Sequence, residues 1–539
     1  MINWKIWTIV GILLAFMAVE SISAISYYSP TFDETMYLGA AYYYWETGNI
    51  TVVREHPPLT RIVAGASLAA IGYNFPDGDW NNSQQMKLGK TFLYESGNDL
   101  DSILLFSRLT VVIMSLTLGI FLFFFVKEVY GLVAGLFALF IYVFEPNILG
   151  HSSVATTDIA ISLFMFLTMY AFWHFVKKPN YKNTIFVGVF FALAQLSKYT
   201  GLYLVPILLI LSLFFTWKRN ITYRHTIMLA AFVVVISIFI INLFYLFQGT
   251  GKALVDNISE DRIEKHITNN PLKPLILAVV KTPLPLPENY VLGISDTVLH
   301  QMSGHRTYFL GQYSRYGLWY YFPAIFLLKV SVFLLALIGI SLYVFYRKHL
   351  EKGSLGNAEI ISIFFILVFF TINLFSSINI GIRHILPIFP FVIFLCAKSV
   401  KYINKRQIRI YLILILFFAL SSILSAPHYI SFYNEIIGSN GYVYALDSNY
   451  DWGQDLKALS IYLKDNGISS VKLKYFGTAA PEYYGISYQQ LECGATHGIV
   501  AVSANYLQGL IEKDRDCHAW LKSHVPDARI GSIFVYRID

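Results

Sequence analysis

The chain has 539 residues, of which 56% are hydrophobic and only 14% charged, and its mean hydropathy is +0.55. Ordinary soluble domains carry about 25% charged residues, so the composition excludes a soluble globular enzyme and points to an integral membrane protein. The net charge of +7 is accounted for by basic clusters beside apolar runs, and no nucleic-acid motif accompanies it.

A membrane-crossing helix needs roughly 20 apolar residues. Hydropathy predicts about eleven spans, near 5–25, 103–126, 131–148, 154–175, 184–200, 203–216, 225–247, 320–346, 358–375, 384–400 and 409–425. The fifth and sixth meet at Lys198-Tyr199-Thr200-Gly201, which predicts short or bent helices. Small residues follow the first span (Ser21, Ser23, Ala24), as at a signal cleavage site, but cleavage would untether the loop behind it, so the span reads as a retained anchor. Basic clusters fall at Lys177-Lys178, Lys218-Arg219, Arg347-Lys348 and Lys401 to Arg409. A cytoplasmic amino terminus puts all of them on cytoplasmic loops. The loops 26–102 and 248–319, the turn Glu145 to Ser153 and everything after about 426 then lie outside.

Residues 427–539 change character. Leu456, Leu459 and Leu463 have amphipathic spacing in a predicted helix from Asp451 to Asn466. Val471, Leu473 and Tyr475 alternate like a strand, and Ile499 to Val502 and Ile533 to Tyr536 continue a strand–helix–strand rhythm. The expected architecture is a mainly α-helical transmembrane domain, 1–426, followed by a small extracytoplasmic α/β domain, 427–539. Cys493 and Cys517 share that outer domain, as a disulfide or as two thiols, while Cys396 sits in a span. No Walker-type phosphate loop is present, which argues against an ATP-driven pump.

The unusual polar residues collect at one membrane face. Asp33 and Glu34 follow the first span, with His56 and Arg61 in the same loop. Asp158 opens the fourth span, Lys198 ends the fifth, His305 and Arg306 lie in the long outer loop, and Arg383-His384 start the tenth. Charges beside lipid are costly and mark function or anchoring. Cations there suit a phosphate whose tail stays in the bilayer, and a carboxylate suits proton abstraction from a hydroxyl. Together they fit sugar transfer from a lipid-linked phosphosugar: the hydroxyl attacks the anomeric carbon and inverts it, and the cations stabilise the departing lipid phosphate. Blander readings stand beside this one. Asp158 suits a helix dipole, Lys198 can snorkel, and Arg383 and His384 can anchor a helix end. A flippase of lipid-linked sugars is the alternative from another class. It would need polar residues through the bilayer depth, whereas the span centres here are apolar apart from Asn242 and Asn373.

These residues resemble the dolichyl-phosphate-mannose protein mannosyltransferases and their prokaryotic relatives, membrane-embedded glycosyltransferases of the C fold. Phe32-Asp33-Glu34 is similar to the family's acidic pair, Glu55-His56-Pro57-Pro58-Leu59-Thr60-Arg61 to its His-Pro-Pro-Leu segment, and Thr157-Asp158 to the acid opening a later span. Asn379 to Pro387 and Asp447 to Asp455 resemble segments of a prokaryotic branch. The resemblance implies a polyprenyl or dolichyl phosphate sugar as donor. It implies Asp33 as catalytic base with Glu34 supporting it, and His56 and Arg61 near the donor. Lys198, Arg306, Arg383 and His384 complete the expected phosphate-binding set. The carboxyl-terminal layout is more similar to that of bacterial lipid-A aminoarabinose transferases, so the acceptor stays open among protein, lipid and glycan.

Asp447, Asn449, Asp451 and Asp455 copy four positions of a calcium loop, but Trp452 stands where Gly is needed and Ala458 where a bidentate Glu is needed. No metal is therefore assigned, and a divalent ion finds no support in the sequence. Asp451 is read as a helix cap or, with Asp447, Asp158 and Trp452, as an acceptor or structural contact.

Overall fold

The computed structural model describes residues 4–252, 282–352, 355–403 and 407–539. Part of the expected outer loop 248–319 and part of the basic cluster Lys401 to Arg409 lie outside the described residues. The chain opens with helices α1 (Trp4–Tyr27), α2 (Phe32–Thr47), α3 (Leu59–Ala69) and α4 (Gln85–Lys90). It continues through α5 (Leu100–Tyr130), α6 (Leu132–Val143), α7 (Pro146–Ser152), α8 (Asp158–Lys177) and α9 (Tyr181–Ser197).

Among the described residues, eight helices are long and apolar enough to cross a membrane, and counting each of two bent pairs as one span gives ten. This differs from the eleven runs expected. The run 184–200 is α9, whose 17 residues fall short of the roughly 20 needed to span upright. The run 131–148 breaks into α6 and α7 with a 62° bend. The cause is local: Pro146 takes the first helical position, and the Glu145 carboxylate accepts the Ile148 N–H at 2.8 Å, which starts a new helix. The run 320–346 likewise divides into Tyr321–Lys329 and Val332–Val344, bent by 112°.

The segment between α1 and α5 folds as a helical cap: the helix expected at 60–72 behind Pro57-Pro58 is α3, and α2 packs against both it and α4. Gly39 in α2 and Gly89 in α4 face each other so closely that a Cβ on either would overlap the other helix's backbone. Glycine is what allows that approach.

The carboxyl-terminal region carries a five-stranded mixed sheet. With β1 (Thr307–Phe309) and β2 (Gln312–Ser314) forming a separate hairpin, its strands are β3 (Val471–Lys474), β4 (Tyr488–Gln490), β5 (Gly498–Ser503), β6 (Ala528–Ile530) and β7 (Ile533–Ile538). The order is β4-β3-β5-β7-β6, with β3 parallel to β4 and β5 and β7 antiparallel to β5 and β6. The amphipathic helix begins at Leu456 rather than Asp451 and packs Leu456, Leu459 and Leu463 on Val471, Leu473 and Ala501. Its start is delayed because Gly453 takes a φ of 87° and the Asp451 carboxylate is held by the Asn505 N–H at 3.0 Å. Asp451 therefore does not cap this helix.

Cys493 and Cys517 are joined as a disulfide, and Cys396 is a buried free thiol. Alkylation of the denatured, unreduced chain should label one cysteine, and after reduction three. Mass spectrometry that finds three labels without reduction would contradict this pairing.

The two regions meet at the α1–α2 turn. Ser29 N–H donates to the Gln454 carbonyl and Phe32 N–H to the Trp452 carbonyl, each at 2.9 Å. The Phe32 ring stacks on Phe476 at 5.3 Å. The acidic pair is thus held from both sides.

Candidate active site

Adjacent positions on α2 send Asp33 and Glu34 into different surroundings. Glu34 is fully buried. One oxygen accepts Arg108 Nε at 2.8 Å and the Ala155 N–H at 2.6 Å; the other accepts Arg108 Nη2 at 2.8 Å and the Thr31 N–H at 2.8 Å. Burial pushes this carboxyl up, but the Arg108 charge and these hydrogen bonds win and hold it below the ordinary carboxylate value. Arg108 spends its other N–H groups on the carbonyls of Ile25, Tyr28 and Ser29. Every strong acceptor direction of Glu34 is occupied, so the pair ties the carboxyl-terminal end of α1 to the amino-terminal parts of α2 and α5.

Asp33 is less enclosed, and its Oδ2 accepts Arg383 Nη1 at 2.9 Å. The same Nη1 lies 3.9 Å from Asp158 Oδ2, and Asp158 Oδ1 accepts Lys198 Nζ at 2.8 Å. A chain of alternating charges thus runs Asp33–Arg383–Asp158–Lys198. Beneath it, the Trp452 ring supports the Arg383 guanidinium at 4.2 Å, a cation–π contact that fixes the plane. Such alternation lets two cations remain in a water-poor site without leaving either carboxylate bare.

Beside this chain opens a cavity of about 590 Å³ whose lining includes Arg54, His56, Lys198, His300, Arg383 and His384. Among the described residues, His56 Nδ1 and Arg383 Nε are buried without a protein partner, which leaves them available to a ligand. Burial, reinforced by the nearby Lys198 charge, lowers His56 to about 3, so the ring is neutral. The unfolded chain then takes up the His56 proton first as pH falls below about 6.5. Acid should destabilise the fold from that pH down towards 3, and His56→Gln should flatten that part of the thermal-stability profile. An unchanged profile would remove His56 as a cause.

Residues 92–245 match the family model described as dolichyl-phosphate-mannose-protein mannosyltransferase. The chain is similar to that family. Among solved structures, ArnT from Cupriavidus metallidurans bound to undecaprenyl phosphate aligns over 98% of this chain and 97% of its own, with a TM-score of 0.49 and 11% identity. The S. cerevisiae Pmt1–Pmt2 complex bound to the sugar donor aligns over 46% of this chain and 34% of its own, with a TM-score of 0.35 and 17% identity. The Archaeoglobus fulgidus oligosaccharyltransferase in the apo form covers 84% and 58%, with a TM-score of 0.45 and 12% identity. Among curated proteins, none matches the chain in sequence.

The stretch matched to the mannosyltransferase family contains Arg108, Asp158 and Lys198, while Asp33 and Arg383 lie outside it. The structure brings Asp33, Asp158, His56, Lys198, Arg383 and His384 to one place. Other expected site residues lie differently. Arg61 is buried and donates Nη1 to the Val52 carbonyl at 2.6 Å and Nη2 to the His56 carbonyl at 3.0 Å, so it shapes the His-Pro-Pro segment. Arg306 points away, donating to the Ile511 carbonyl at 2.6 Å. Trp452 is buried under Arg383 and offers no face to a sugar. Asp451 is buried in the junction, where burial raises it to about 7. Asp447 lies nearer the site: His305 Nε2 is 3.9 Å from its Oδ2, and burial, opposed by Arg383, raises it to about 6.

Sequence reasoning passed over Arg108 and His300. Arg108 had a signal, being an arginine within an apolar run that has to span lipid. The two motif segments also touch each other: Asn449 Oδ1 accepts the Ile382 N–H at 3.0 Å, which sets the backbone that presents Arg383.

Proposed function

We propose that the chain is an inverting glycosyltransferase of the C fold. It would move a sugar, mannose-like, from a polyprenyl or dolichyl phosphate carrier to a hydroxyl acceptor on the outer face of the cell membrane. In this reading the amino terminus is cytoplasmic and residues 427–539 are extracytoplasmic. The observation that carries it is the Asp33 carboxylate on Arg383, with Lys198 one link further along, at the edge of a cavity of about 590 Å³.

Asp33 takes the proton of the acceptor hydroxyl as the oxygen attacks the anomeric carbon. The carbon–oxygen bond to the lipid phosphate breaks on the opposite face, and the electron pair leaves with the phosphate. Arg383 and Lys198 meet the charge developing there, so no protonated leaving-group acid is required. Neutral His56 contributes hydrogen bonds to the donor rather than charge, and His384 lines the same cavity. Glu34 acts through Arg108, keeping α2 and therefore Asp33 in place. Cation stabilisation of the phosphate makes a divalent metal unnecessary in this scheme. The apolar span centres disfavour the flippase alternative.

The anomeric configuration of the product tests the scheme: nuclear magnetic resonance of a transferred sugar should show inversion, and retention would refute single displacement. Lys198→Met should weaken binding of polyprenyl phosphate by about tenfold or more, as expected when a charge-assisted contact is lost. Equal affinity in a titration would remove Lys198 from the phosphate site.

A further inference from the structure

A second polar cavity, of about 200 Å³, opens between the outer-loop hairpin and the carboxyl-terminal domain. Its lining carries four cationic side chains, Arg306 and Arg315 from the outer loop and Lys513 and Arg515 from the domain, against one carboxylate, Glu512. Glu512 is already engaged, 2.8 Å from Lys474 Nζ. The arginines are positioned rather than loose. Arg306 Nη1 donates to the Ile511 carbonyl at 2.6 Å, Arg315 Nε donates to the Ser303 carbonyl at 3.0 Å, and the Arg515 guanidinium lies 4.2 Å over the Tyr313 ring. A guanidinium has five N–H donors, so each contact holds the group and leaves other donors for a ligand. Four like charges drawn together repel one another, and an oxyanion between them relieves that repulsion.

Leu510 and Tyr313 are the main apolar groups in the lining, so the cavity offers no groove for an acyl chain. That favours a water-soluble anion over a lipid. We infer that this cavity binds a carboxylate- or phosphate-bearing sugar of an acidic glycan acceptor, held between the outer loop and the carboxyl-terminal domain. The inference deepens the glycosyltransferase reading by giving its acceptor a charge, and it assigns Arg306 to the acceptor rather than to the donor phosphate.

The test uses the full-length protein in zwitterionic-lipid nanodiscs, titrated calorimetrically with an oligogalacturonate, with maltohexaose as the neutral control and inorganic phosphate as the small-anion control. The wild type should bind the oligogalacturonate, or phosphate if phosphate is the favoured group, and should not bind maltohexaose. Replacing Arg315 and Arg515 together with Ala should weaken that binding by about tenfold or more. Arg315→Lys with Arg515→Lys should restore part of it, which separates charge from folding. Unchanged binding in the alanine pair, equal binding of maltohexaose, or binding of neither anion would overturn the assignment. Binding seen only when phosphatidylglycerol nanodiscs replace the zwitterionic ones would overturn it in favour of a lipid headgroup. Polyprenyl phosphate binding on the same samples reports the larger cavity separately. If that binding persists while no anion binds here, the acceptor inference fails and the donor reading stands.

Discussion

Asp33→Asn should lower sugar transfer by roughly 10²- to 10⁴-fold, the usual contribution of a positioned general base, while leaving the protein folded. Asn keeps the shape and can still accept a hydrogen bond from Arg383, whose Nη1 lies 2.9 Å from Asp33 Oδ2. It cannot take a proton. The loss should therefore appear in turnover with little change in donor binding, because Arg383 and Lys198 remain. Turnover within a few fold of wild type would remove Asp33 from the base role. A loss confined to donor affinity would instead make Asp33 only the partner that steadies Arg383.

The neighbouring residue should behave in the opposite way. Glu34→Ala or Arg108→Ala breaks a fully buried ion pair and leaves the other charge without its partner. Such a change costs about 3–5 kcal/mol, a large share of the roughly 5–15 kcal/mol that a folded chain holds in reserve. Either variant should lose much of its thermal stability in detergent, and purified yield should fall with it. Replacing both together, Glu34→Leu with Arg108→Met, should recover part of the loss, since no bare charge remains. Single variants as stable as the wild type, but inactive, would move Glu34 from architecture into chemistry. The contrast between positions 33 and 34 is the sharpest consequence of the structure, because both side chains end in the same carboxylate group and sit next to each other in sequence.

Much of this was legible in the chain itself. Apolar runs mark most of the membrane helices, since lipid exposure leaves few alternatives to a helix. Asp33, His56, Lys198 and Arg383 stood out because charge and histidine at the ends of such runs are expensive. What stayed hidden depends on tertiary contacts. Nothing in Tyr450-Asp451-Trp452-Gly453 says that the indole turns inward beneath Arg383 instead of outward to a sugar. Arg306 belongs to a loop whose path is set by its hydrogen bond to Ile511, some 200 residues later in the chain. Arg61 looked like a free cation, but the carbonyls of Val52 and His56 claim it. Helix breaks were only partly readable, because Glu145-Pro146 starts a new helix through a cap that hydropathy does not weigh.

The central claim is that the cavity beside Asp33 accepts a lipid-phosphate-linked sugar and releases the lipid phosphate on transfer. The most direct measurement incubates the purified protein in nanodiscs with polyprenyl-phosphate-linked hexoses and a membrane glycan extract, and follows polyprenyl phosphate by mass spectrometry. The account predicts acceptor-dependent release by the wild type and none above background by Asp33→Asn. Release that proceeds equally in both proteins, or a wild type that binds polyprenyl phosphate but releases none from any hexose donor, would contradict it.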